Sequence, residues 1–209
     1  ANDVSTLRNK TTQAPYNSVY SALRNRVDGW TAPSANRYIV GKQLEQIVMV
    51  ALVENYNTTY LNKVNQWITN MFQTQGIVAL AQAGDGGAIW GSDDNIRGLA
   101  LAYDWLYPAL DAATRTQYGT WLRDYQNAVY AQQGGFNRDA SRSDYSNQFY
   151  YFDGNLVITG ITLYNDGIDN TTALTYLNNF NTIVRQNMIP VVNQVAGTKG
   201  GWHEGLGYS

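Results

Sequence analysis

Three segments of this 209-residue chain are apolar around most of a helical circumference, and helices with a single apolar stripe separate them. The first wide-faced segment, about 36–54, carries Tyr38, Ile39, Val40, Leu44, Ile47, Val48, Val50, Ala51, Leu52 and Val53. The second runs from about Ser92 to Tyr107 with Ile96, Leu99, Leu101, Tyr103, Trp105 and Leu106, and the third from about Asn147 to Tyr164. The striped segments lie around them: Tyr16–Val27, closed by Asp28-Gly29, then Tyr60–Phe72, Asp111–Ala131 and Thr172–Met188. A one-striped helix buries one face, whereas a helix apolar on all sides needs neighbours on all sides. Their alternation therefore calls for two layers, with the wide-faced helices inside. No strand-like alternation interrupts the pattern. The expected fold is all-α: one domain over 1–209 forming an incomplete α/α toroid, a double layer of about three and a half helical hairpins.

The spacing carries a second expectation. Wide-faced helices are predicted to begin near 36, 92 and 147, at intervals of 56 and 55 residues, with Ser92 as N-cap and Asp93-Asp94 in the first turn. The same interval puts a fourth near 203, inside Gly200-Gly201-Trp202-His203-Glu204-Gly205-Leu206-Gly207-Tyr208-Ser209. Inner helices that share a direction gather their N-terminal approaches on one rim, and here those approaches are the three most glycine-rich loops. Helix N-termini offer unpaired N–H groups and a positive dipole end, which favour an anionic ligand. The last loop also holds the only histidine of the chain, His203.

Composition narrows the partners. A net charge of −2 with only 14% charged residues excludes a binder that relies on a large basic field, so nucleic acid is not an expected partner. The 16 Tyr and 6 Trp, with abundant Asn, Gln and Thr, suit stacking on sugar rings and neutral hydrogen bonding. No apolar run approaches the ~20 residues of a membrane span, and the opening ANDVSTLRNK has no signal-peptide layout and reads as a mature or trimmed N-terminus. With no cysteine, thiolate chemistry and disulfides are out, and the lone His203, with only Glu204 and aspartates to join it, is not an expected metal ligand. The glycine-rich AGDGGAIWG lacks the Lys-Ser/Thr ending of a phosphate-binding loop.

Three stretches, AYDWLYPALDAATRTQY, SNQFYYFDG and above all GWHEGLGY, resemble the toroid domain of polysaccharide lyases of the heparinase II/III-like and alginate-lyase type. The likeness spans about 102–209. In that group a Trp-x-Glu-Gly-x-x-Tyr segment supplies a catalytic tyrosine and an earlier Asn neutralises the substrate carboxylate; the matching positions are Tyr208 and Asn147. The resemblance implies β-elimination on a uronate-containing anionic polysaccharide, in a secreted or periplasmic setting, with no cofactor. An amide such as Asn147, assisted by Gln148, makes the C5 proton acidic by hydrogen-bonding the uronate carboxylate. Tyr208 then removes that proton or protonates the departing O4, provided positive charge lowers its ordinary pKa of ~10. His203, Arg138, Arg142 and Lys199 are placed to tune it or hold carboxylates, and Trp202 or Tyr151 to stack on a sugar ring.

This sequence has Gln148 where many relatives have His, so proton transfer falls to His203 or to Tyr208 alone, or the activity is altered. About three and a half helix pairs are too few to close a toroid, and the chain is expected to be an N-terminal part of a longer lyase. Two other readings stay open: an α/α-toroid glycoside hydrolase pairing Asp93 or Asp94 with Glu204, and a non-catalytic carbohydrate-binding helical domain.

Overall fold

The computed structural model describes residues 2–33, 37–74, 76–77, 87–132 and 147–193. Among the described residues there are eight helices that pack on one another and no strand: α1 (Asn2–Lys10), α2 (Tyr16–Asp28), α3 (Arg37–Val53), α4 (Thr58–Ile68), α5 (Gly87–Leu106), α6 (Ala112–Gln132), α7 (Asn147–Leu163) and α8 (Asn170–Ile183). Side-chain oxygens start several of them by accepting from otherwise unpaired first-turn N–H groups. Asn57 caps α4 through Thr59 N at 2.9 Å, Asp111 receives Thr114 N at 2.7 Å, and Asp169 caps α8 through Thr172 N at 2.9 Å. Between α3 and α4 the chain turns through Asn55 and Tyr56, both at positive φ, and Tyr56 N closes the turn on Ala51 O at 2.8 Å.

Burial follows the two stripe widths. In α3 the buried set Val40, Leu44, Ile47, Val48, Val50, Ala51 and Leu52 wraps the helix, and in α5 Ile96, Leu99, Ala100, Ala102, Tyr103 and Leu106 do the same. By contrast α6 buries one stripe, Tyr118, Leu122, Tyr125 and Val129. The stripe of α2 is only half used, since Val19 is 70% exposed and Val27 is fully buried. The contacts of α2 thicken toward its C-terminal half: Tyr20 donates to Glu54 at 2.7 Å, Arg24 donates to Tyr60 Oη, Tyr60 donates to Asp28 at 2.7 Å, and Lys63 binds Val27 O at 2.8 Å.

Named contacts fix the helix directions. Along the α3–α5 seam, Gly41 lies on the backbone of Asp94 and Asn95, Arg97 Nε bonds Glu45 at 2.6 Å, and further along Leu52 and Tyr56 share a cavity wall with Asp104 and Trp105. Residue numbers rise together, so α3 and α5 are parallel. Asn95 meets Tyr125 while Tyr103 meets Gly119, which makes α6 antiparallel to α5. Thr159 meets Gln126 and Ile168 meets Gly119, so α7 again runs with α5. The returning helices are linked to one another by tyrosines: Tyr60 joins α4 to α2, Tyr118 joins α6 to Asn65 of α4 at 3.1 Å, and Tyr176 joins α8 to Asn127 of α6 at 2.5 Å.

One boundary differs from expectation. Helix α5 starts at Gly87, so Ser92 lies inside it rather than at its cap. The parallel helices begin at 37, 87 and 147, intervals of 50 and 60 residues rather than a steady 55. The position near 203 lies outside the described residues.

Candidate functional site

The heads of α3, α5 and α7 share one end of the molecule because the three helices are parallel. Asn147 is the first residue of α7, and Gln148 and Tyr151 follow within its first two turns. Arg138, Arg142, Lys199, Trp202, His203, Glu204 and Tyr208 lie outside the described residues. At the same end, between the approach to α3 and the tail of α4, a cavity of about 420 Å³ is lined by Thr31, Pro33, Asn65, Gln66, Thr69 and Asn70. Its polar lining is all amide and hydroxyl. Such groups can donate to or accept from sugar hydroxyls without demanding a charge.

Asp94, a carboxylate of the hydrolase reading, is held in ion pairs. It is buried against α3, with Arg97 at 2.5 Å and Lys42 at 3.5 Å, and Arg97 is in turn bound to Glu45 at 2.6 Å. A pair of adjacent aspartates after a serine resembles a helix start, but inside α5 their direction is set by helix phase, and phase turns Asp94 toward the α3 seam. Glu204, its proposed partner, lies outside the described residues.

Deeper along the same helices is a polar set that pattern reading passed over. Asn95 of α5 gives Nδ2 to Tyr125 Oη at 3.3 Å, while its Oδ1 is buried with no partner. Asn155 of α7 is fully buried and neither of its amide atoms has a partner, although nearby Thr159 bonds Gln126 at 3.2 Å. Orphaned buried amides are costly. The signal was present as Asn95, Asn155 and Thr159 interrupting otherwise apolar helices; what it lacked was any indication that all three face inward.

Four of the described tyrosines with raised pKa are buried structural groups. Burial pushes Tyr20, Tyr103, Tyr118 and Tyr176 above the ordinary phenol range, with Glu54 adding to it at Tyr20 and Asp166 at Tyr103. A catalytic phenol needs the opposite shift. These four are therefore not proton-transfer groups at neutral pH.

Comparison of the chain with protein-family models, with curated proteins and with solved structures gives no match.

Proposed function

We propose that the chain is part of the α/α toroid of a polysaccharide lyase that cleaves a uronate-containing polysaccharide by β-elimination. The observation that carries the reading is the sequence pairing of Asn147, at the head of α7, with Tyr208 of the GWHEGLGY segment, 61 residues on, in the order the resembling lyases use. The parallel run of α3, α5 and α7, with antiparallel helices returning between them, supports a toroid arc. The uncharged cavity beside the head of α3 supports a saccharide track at that end.

In the proposed reaction Asn147, with Gln148, hydrogen-bonds the uronate carboxylate and stabilises the charge that builds on it when C5 loses its proton. Tyr208 takes that proton. The electron pair forms the C4–C5 double bond, the C4–O4 bond breaks, and O4 leaves with a proton returned by Tyr208 or His203. Arg138, Arg142 and Lys199 hold neighbouring carboxylates and favour the phenolate; Trp202 and Tyr151 stack on sugar rings, and Glu204 accepts from sugar hydroxyls.

Incubation of the protein with alginate, heparan sulfate, glucuronan and neutral glycans tests this. A lyase releases products with the ultraviolet absorbance of an unsaturated uronate, and Tyr208→Phe abolishes it with the helical circular dichroism unchanged. New reducing ends without that absorbance would establish hydrolysis instead, and binding without cleavage a carbohydrate-binding domain.

A further inference from the structure

Three asparagines of the chain stand in the sequence Asn-X-Thr with X other than proline: Asn9-Lys10-Thr11, Asn57-Thr58-Thr59 and Asn170-Thr171-Thr172. In secreted chains that tripeptide is the acceptor for N-linked oligosaccharide, the transferase reading the hydroxyl two residues on together with the amide. So short a match also arises by chance in a chain rich in Asn and Thr. What decides is where the fold puts the three.

The fold puts them together. Asn57 sits between the turn that ends α3 and the first residue of α4, and Asn170 opens α8 just past the end of α7. Asn9 follows Arg8, whose guanidinium donates to Leu52 O in the last turn of α3 at 2.7 and 3.1 Å. Because α3 and α7 are parallel, all three lie where those helices finish, at the end opposite Asn147, and all three are exposed. At the other end Asn65, Asn70 and Asn147 are followed two residues on by Trp67, Phe72 and Phe149, so none of them is an acceptor.

The three amides are also divided in the same way. Asn57 Oδ1 accepts from Thr59 N at 2.9 Å, Asn170 Oδ1 from Asn165 N at 3.1 Å, and Asn9 Oδ1 from Gln13 Nε2 at 3.1 Å. None of the three Nδ2 atoms has a hydrogen-bond partner among the described residues. An N-linked sugar replaces one hydrogen of Nδ2 and leaves Oδ1 an acceptor, so the α4 cap and the turn before α8 persist with the sugar attached.

We propose that Asn9, Asn57 and Asn170 are attachment sites for N-linked oligosaccharide, which sheathes this end of the molecule and leaves the end with Asn147 clear. In the transfer each Nδ2 attacks the anomeric carbon of an oligosaccharide carried on a polyprenyl diphosphate. The C1–Nδ2 bond forms, the C1–O bond to the diphosphate breaks, the amide proton passes to a base of the transferase, and the polyprenyl diphosphate leaves. The inference uses only the described residues and holds whether or not the chain is a lyase.

The full chain, secreted from cultured eukaryotic cells behind a cleavable signal, tests it by intact mass spectrometry and glycopeptide mapping. Glycan is expected at all three sites, each converted to aspartate by peptide-N-glycosidase, on a protein whose helical circular dichroism matches that of the chain made in bacteria. Asn57→Asp and Asn170→Asp keep the accepting oxygen, and each is expected to remove one glycan with the circular dichroism unchanged. Absence of glycan from any of the three sites in the secreted protein would overturn the proposal. So would a glycosylated chain that loses helical content, since the fold would then not accommodate the sugar. If Asn57→Asp fails to fold, Thr59→Ala, which keeps the N–H that Asn57 caps, is expected to remove the same glycan.

Discussion

At Gly41 a single hydrogen sets how near α3 and α5 come. A Cβ there would sit 2.3 Å from the carbonyl carbon of Asp94 and 2.5 Å from Asn95 N, and backbone cannot step aside as a side chain can. Gly98 makes the reciprocal approach, its would-be Cβ 2.9 Å from Gly41 O. Gly41→Ala is therefore expected to destabilise by about 3 kcal/mol through overpacking, read as a lower urea midpoint. At Gly154 of α7 an added methyl would meet nothing within 4 Å, so Gly154→Ala is expected to raise stability by about 0.5–1 kcal/mol in the same titration. Helix propensity scores the two substitutions alike. Their opposite signs come from contacts about 50 residues away in sequence, which no local reading of glycine supplies.

Among the elements, α8 shows how a cap ties stability to pH. Asp169 accepts from Thr172 N at 2.9 Å and Thr172 Oγ1 at 2.8 Å, and these bonds, backbone first, hold its pKa below the ordinary carboxylate value. A depressed folded-state pKa means the stabilisation is full above the unfolded value of about 4 and is lost as pH falls through the folded one. Asp169→Ala is expected to cost about 1 kcal/mol at pH 7 and to flatten the acid side of the stability profile, as thermal melts from pH 7 down to 2 would show. On α4, Tyr60→Phe removes the hydroxyl shared by Arg24 and Asp28 of α2 and should cost about 1 kcal/mol, with faster hydrogen exchange in α2. The helices were legible because stripe width is a local property, and the buried faces of α3, α5 and α6 follow it residue by residue. The Ser92 boundary was not. A cap preference is worth only about 1 kcal/mol, too little to hold a helix boundary by itself, and α5 begins five residues earlier.

For the whole molecule, parallel α3, α5 and α7 bring residues far apart in sequence to a common end, and the proposed chemistry is a statement about that end. Asn147→Ala is expected to lower kcat on the uronate substrate about a hundredfold with little change in KM, since the amide acts on charge that builds only as C5 is deprotonated; stopped assays of the unsaturated product measure it. Composition already argued against a basic nucleic-acid surface, and none of the described helices is long and apolar enough to cross a membrane. By itself the sequence determined that the described chain is helical and which helices are wrapped and which are striped, because periodicity is carried by neighbours along the chain. Only the tertiary structure decided that Asp94 is consumed by Arg97 and Lys42, that Asn155 is a buried orphan, and that Asn9, Asn57 and Asn170 come to one end of the molecule. Each of those depends on which side chains distant segments bring together, and helix phase and packing distance settle that only once the helices have met.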